Sequence, residues 1–250
     1  MSEWAELPLA FWFAAPVVIL FAYTVFGMTG FGSTMIAVPI LANWVPLATL
    51  VPVLVVSDIA SALFVGGANR QHVSKPELKR LLPFLVAGLA LGVTALVNAP
   101  QQPLAVALGL FSLVAGLATV LNPVPRGRIS AWWCVPAGLT AGTFAAIFGV
   151  GGPVYVAYFT GRLGDKDAVR ATISTVISIS AALRGVFYLV AGLVLKAGVL
   201  AGIVFVAPFA ILGVRLGSRI HTSLTQAQAR RAIGLLLVAA GGVLLARTLL

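Results

Sequence analysis

Apolar runs broken by charge, proline or glycine organise this chain into ten segments: 10–28, 33–44, 46–66, 81–98, 103–121, 131–149, 153–161, 171–193, 198–214 and 232–249. A helix needs about 20 apolar residues to cross a hydrocarbon core of about 30 Å. Eight of the segments are long enough to span. At about 1.5 Å per residue, segments 33–44 and 153–161 reach only roughly 18 Å and 14 Å, so they are expected as half-helices. The longest stretch without strong hydrophobicity is 67–80, which leaves no room for a soluble domain or long linker. Glu3 and Glu6 precede the first run with no Lys or Arg, so a cleavable leader is not expected there.

Charge placement predicts which way the segments run. Basic residues cluster in four connections: Arg70, Lys75, Lys79 and Arg80; Arg126 and Arg128; Arg162, Lys166 and Arg170; and Arg215, Arg219, Arg230 and Arg231. The opposite set of connections holds only Lys196 and Arg247. By the positive-inside rule the four basic connections are expected in the cytoplasm, with both termini outside. Segments 10–28 and 33–44 then form a hairpin entered from outside, and 131–149 with 153–161 one entered from inside.

The apices of those hairpins are related. They read Phe26-Gly27-Met28-Thr29-Gly30-Phe31-Gly32 and Phe148-Gly149-Val150-Gly151-Gly152-Pro153, so Phe-Gly-x-x-Gly recurs with an offset of 122. A repeat that starts on opposite faces in its two copies is an inverted-topology repeat, a construction of many secondary transporters. The expected fold is therefore an all-α polytopic membrane protein of two inverted repeats, with about eight spanning helices and two half-helices in glycine-apex hairpins. Residues 1–122 form the first repeat, 123–130 a cytoplasmic connection and 131–250 the second.

Broken helices in that construction meet near the midplane, where irregular backbone survives only if it lines a cavity or is buried in protein. Gly27, Gly30, Gly32, Gly149, Gly151 and Gly152 allow the turns, and half-helices are expected to begin at Ser33 and Pro153. A helix N-terminus carries about +0.5 charge and unpaired N–H donors, which suits an anion. Gly30, Gly32, Gly151 and Gly152 are thus candidate substrate contacts, with the Ser33 and Thr34 hydroxyls beside them. Tight packing of helices on small residues is the competing reading of the same glycines.

Two charges lie deep within apolar runs. Arg184 sits deep in 171–193 with Ser180 one turn before it, and a cation at that depth is a candidate for substrate binding. Asp58 is the only acid in any proposed membrane segment. It is a candidate for coupling or gating, as a proton carrier or as the partner of Arg184. Helical rise puts the two at depths differing by roughly 8 Å, near the limit of an arginine's reach.

Composition narrows the function. With 60% hydrophobic and 9% charged residues and a mean hydropathy of +1.08, the chain is far from the roughly one-quarter charged usage of soluble domains. The net charge of +10 is explained by membrane orientation, and nucleic-acid binding is not expected. His72 and His221 both fall in basic connections and Cys134 stands alone, so neither a metal site nor a disulfide is expected. No ATP-binding or cofactor motif occurs, and nothing beyond Asp58 offers a membrane-embedded base, which argues against an enzyme.

At these residues the chain resembles the sulfite exporter TauE/SafE family of bacterial membrane transporters. The likeness rests on Gly27-Met28-Thr29-Gly30-Phe31-Gly32-Ser33 leading into Val38-Pro39-Ile40-Leu41, and on Phe148-Gly149-Val150-Gly151-Gly152-Pro153. Leu82-Pro83-Phe84 running to Gly88 and Gly92, and Leu212-Gly213-Val214-Arg215-Leu216-Gly217, reinforce it. The resemblance implies a transporter of the bacterial inner membrane that exports a small anion, such as sulfite or an organosulfonate. It does not carry over roles for Arg184 or Asp58. A gated anion channel and a non-transporting membrane scaffold are the alternatives, and the sequence leaves the oligomeric state open.

Overall fold

The computed structural model describes residues 7–29, 32–65, 72–121, 129–219 and 226–249. Among these the chain forms ten α-helices and no strand. They are α1 (Leu9–Thr29), α2 (Ser33–Leu41), α3 (Leu47–Val65), α4 (Lys75–Asn98), α5 (Gln101–Leu121), α6 (Cys134–Phe148), α7 (Gly152–Arg162), α8 (Lys166–Val190), α9 (Ala197–Arg219) and α10 (Gln226–Leu249). A 3-10 turn, Ala131–Trp133, leads into α6.

Six described stretches are long and apolar enough to cross a membrane: α1, α4, α5, α6 with its leading turn, α8 and α9. The apolar parts of α3 and α10, Leu47–Ser61 and Gly234–Leu249, are shorter. α2 has 9 residues and α7 has 11, so both are half-helices, as their short apolar runs predict.

Local chemistry sets the ends that matter for the site. α6 stops at Gly149, whose φ of 76° is left-handed; its N–H donates to Ala145 O and the N–H of Val150 to Phe144 O. That is the glycine-terminated helix end expected where the backbone must reverse. Gly32, at φ 98°, is also left-handed and stands immediately before α2. α8 begins at Asp165, whose carboxylate accepts from the N–H of Ala168 at 2.9 Å. Gly30 and Phe31 lie outside the described residues.

One glycine serves a different purpose from the one its motif suggests. α1 continues through Gly27, so the reversal starts later than the Phe26-Gly27 pair implies. A Cβ on Gly27 would stand 2.5 Å from Val214 O of α9, and one on Gly217 would stand 2.1 Å from Thr24 O of α1. Gly27 is a packing position. Similar close approaches join α4 to α6, where a Cβ on Gly88 would meet Leu139 O at 2.4 Å and one on Gly142 would meet Leu85 O at 2.4 Å. α5 and α10 meet through Gly109, Gly116, Gly234 and Gly241. Where lipid removes the hydrophobic drive between helices, such backbone approach supplies much of the attraction.

Gly217→Ala is therefore expected to destabilise the protein by at least the 1–3 kcal/mol typical of overpacking, about the same on any readout of global unfolding. Gly242→Ala, whose Cβ would meet nothing within 4 Å, serves as its control. Thermal unfolding of the two variants in one detergent compares them.

Candidate functional site

The half-helices bring their N-termini to one cavity of about 70 Å³, bounded by α2, α3, α6, α7 and α8. A water needs roughly 10–15 Å³ measured this way, so several waters or one small polyatomic solute fit. Gly32, Ser33 and Thr34 line it from the first hairpin; Gly149, Gly151 and Gly152 line it from the second. Asp58, Ser180 and Arg184 complete the wall. Every described candidate from the sequence thus meets at this place, and Gly30 falls outside the described residues.

Asp58 and Arg184 pair directly. Arg184 Nη2 lies 3.1 Å from Asp58 Oδ2, with the two residues 4% and 6% exposed. The arginine spans the difference in depth that left this pairing open. The other carboxylate oxygen accepts from Ser33 Oγ at 2.8 Å and from the Tyr23 hydroxyl at 2.9 Å. Arg184 Nη1 donates to Ala145 O at 2.9 Å, near the end of α6. Arg184 Nε is buried and has no hydrogen-bond partner among the described residues.

The two hairpins are also tied to each other. Thr34 Oγ1 donates to Gly149 O at 2.7 Å, joining the first turn of α2 to the end of α6. Ser180 is less free than its position suggests, because its oxygen accepts from the Tyr155 hydroxyl at 3.1 Å. Tyr188, one turn after Arg184, donates to Ala146 O. Tyr23, Tyr155 and Tyr188 escaped the sequence reading because an aromatic in an apolar run looks like core.

Among the described residues, neither half-helix is capped by a side chain at its N-terminus. In α2 the first intrahelical bond of this end runs from Ile36 N–H to Gly32 O, and in α7 from Tyr155 N–H to Gly151 O. The preceding N–H groups and the helix dipoles therefore leave partial positive charge at the cavity. With Asp58 offsetting Arg184, the pocket presents donors without a large net charge. That environment accepts the oxygens of a small anion.

Gly149 tests how tightly this is built. A Cβ there would sit 3.0 Å from Thr34 Cβ and 3.2 Å from Arg184 Nη1, at a left-handed φ. The left-handed backbone alone costs a non-glycine residue roughly 1–2 kcal/mol. Gly149→Ala is expected to lower stability by at least that amount in a thermal unfolding measurement.

A second buried charge lies away from the cavity. Glu77, in the first turn of α4, receives Arg162 Nη2 at 2.6 Å, Arg80 Nη1 at 2.8 Å and the Tyr158 hydroxyl at 2.7 Å. Arg162 also donates to Ile129 O at 2.8 Å. This cluster holds the C-terminal end of α7, whose N-terminal end faces the cavity. In the sequence, Arg80 and Arg162 read simply as orienting charges beside an apolar run.

Apolar helices long enough to span a membrane surround a buried polar cavity, and comparison with known proteins places the chain among membrane transporters. The family model described as Sulfite exporter TauE/SafE matches residues 15–244, and the chain belongs to that family. The "Probable inner membrane transporter protein TsaS" of Comamonas testosteroni is 25% identical over 185 residues, covering 74% of this chain and 77% of that protein. The "Probable sulfite/organosulfonate exporter TauE" of Cupriavidus necator is 25% identical over 218 residues, 84% of each. No solved structure matches the chain.

Proposed function

We propose that this protein is a secondary transporter of the bacterial inner membrane that exports a small oxyanion or sulfonate by alternating access. The observation that carries the reading is the convergence on one cavity of Arg184 and two half-helix N-termini that no described side chain caps. The name of the Cupriavidus necator relative supports sulfite and organosulfonates as the substrate class. Gly32, Ser33, Thr34, Gly151 and Gly152 would contact the anion's oxygens, with Gly30 assigned to the same apex. Arg184 would supply countercharge, and Ser180 would complete the wall.

Asp58 would couple or gate. An anion oxygen that competes for Arg184 loosens the carboxylate, which can then take a proton. Coupling is not required energetically, because moving an anion out of a cell negative inside is downhill by about 2.3 kcal/mol per charge per 100 mV.

Helix pairing supports the inverted repeat of 1–122 and 131–250 about the connection 123–130. α1 packs on α9 and α4 on α6, pairings that exchange when the halves are exchanged, while α5 packs on α10. The helix starts at Ser33 and Leu47 correspond to those at Gly152 and Lys166 with an offset of 119 rather than 122. Basic connections in the cytoplasm and termini outside complete this orientation.

A thermal-shift screen of the purified protein against sulfite, sulfate, thiosulfate, sulfoacetate and acetate tests the site. A ligand at 100 times its dissociation constant should add about 2.7 kcal/mol of stability. Saturable flux with counterflow of the best ligand in proteoliposomes tests transport. A protein that no anion stabilises and that moves none would end the proposal.

A further inference from the structure

The cavity is reached along one face of α8. Successive residues of an α-helix turn about 100°, so Lys166, Arg170, Ser174, Ile177, Ala181 and Arg184 share a face, with Ser178 at its edge. Exposure falls along that face: Lys166, Arg170 and Ser174 are exposed, Ile177 and Ser178 half-buried, and Ala181 and Arg184 buried. Ser174, Ile177, Ser178, Ala181 and Arg184 all line the cavity.

A second exposed face on the same helix has another character. Ala182, Val186, Leu189 and Val190 are exposed, apolar and in the C-terminal half, centred about 100° round the helix from Ser174. That stripe suits lipid. The exposed serine belongs to the cavity's side, where the Ser178 hydroxyl donates to Ser174 O at 3.0 Å. Arg170 makes no ion pair among the described residues, unlike Arg80, Arg162 and Arg184. At the inner end stands the buried Arg184, one of the residues lining the cavity.

We infer that this face of α8 is the aqueous approach to the anion site: Arg170 recruits the anion at the mouth, and Ser174 and Ser178 line its way to Arg184. The inference rests on the transport reading above and adds the side from which the site is open, the end of α8 carrying Lys166, cytoplasmic in the proposed orientation. Exposed cations at the mouth of a low-dielectric cleft raise the local anion concentration in a salt-dependent way. Arg170 is thus a recruiting residue, distinct from those that hold the anion.

Two measurements test it in a Cys134→Ala background, which removes the single native thiol. In inside-out vesicles, Ser174→Cys and Ser178→Cys should react with a membrane-impermeant thiol reagent faster than Ala182→Cys, since a thiol in lipid does not ionise. Methanesulfonate should slow the reaction. In flux assays Arg170→Gln should raise KM for sulfite by about tenfold at low salt, more than it lowers kcat, and the difference should shrink at high salt. Ser174→Cys reacting no faster than Ala182→Cys, or an unchanged KM for Arg170→Gln at low salt, would overturn the inference. Labelling needs no flux, so a protein that moves no sulfite but labels at Ser174→Cys from this side would sink the transport reading and leave the approach standing.

Discussion

Arg184→Ala is expected to destabilise the protein by about 3–5 kcal/mol, and Asp58→Asn by a similar amount, because each leaves an unbalanced charge largely enclosed by protein. Both residues are almost wholly enclosed, so the few waters the cavity holds screen little of what remains. Asp58 would keep its bonds from Ser33 and Tyr23, which moderates but does not remove the cost. Arg184 would keep only Ala145 O. The double variant Asp58→Asn with Arg184→Gln should recover most of the loss, since what is expensive is the lone ion and not the absence of the pair. Thermal unfolding of the two single variants and the double one gives the coupling. Singles that each cost under about 1 kcal/mol would mean water screens the pair as it does at a surface, and the enclosure of the cavity wall would have to be revised.

Gly152→Val is expected to reduce anion flux by more than tenfold while leaving the unfolding temperature of the ligand-free protein nearly unchanged. The two halves of that expectation come from one observation: a Cβ on Gly152 meets nothing within 4 Å, although the residue lines the cavity. Valine would fill open space at the start of α7 and shield the N–H groups there. Tenfold in rate corresponds to about 1.4 kcal/mol, less than one lost charge-assisted hydrogen bond typically costs. Stabilisation by the best anion should vanish in the same variant. Normal flux and normal anion stabilisation in Gly152→Val would move the site away from α7.

Much of this arrangement is legible from residue order because membranes impose strict lengths. Runs 33–44 and 153–161 are too short to cross, and α2 and α7 are indeed half-helices. Arg184 and Asp58 stand out because a charge in an apolar run has few reasons to be there. What escapes is whatever depends on who lies opposite. Gly27 has the same local surroundings as a turn glycine, and only Val214 O identifies it as a packing position. Tyr23 and Tyr155 become polar partners only because Asp58 and Ser180 face them. Glu77 looks like a surface acid until Arg162 arrives from α7. Even the Asp58 to Arg184 contact was undecidable by helical rise, which knows depth but not the bend of a side chain.

The docking of α1 on α9 has a consequence for how the molecule comes into being. α4 finds α6 soon after it is made, whereas the surface around Gly27 must wait for Gly217, about three-quarters of the chain later. During synthesis the first helix therefore stands in the bilayer with its notch filled by acyl chains, and the late arrival of α9 must evict them. Biogenesis of this protein should thus depend on lipid composition and on any interruption before residue 219 far more than its finished stability does.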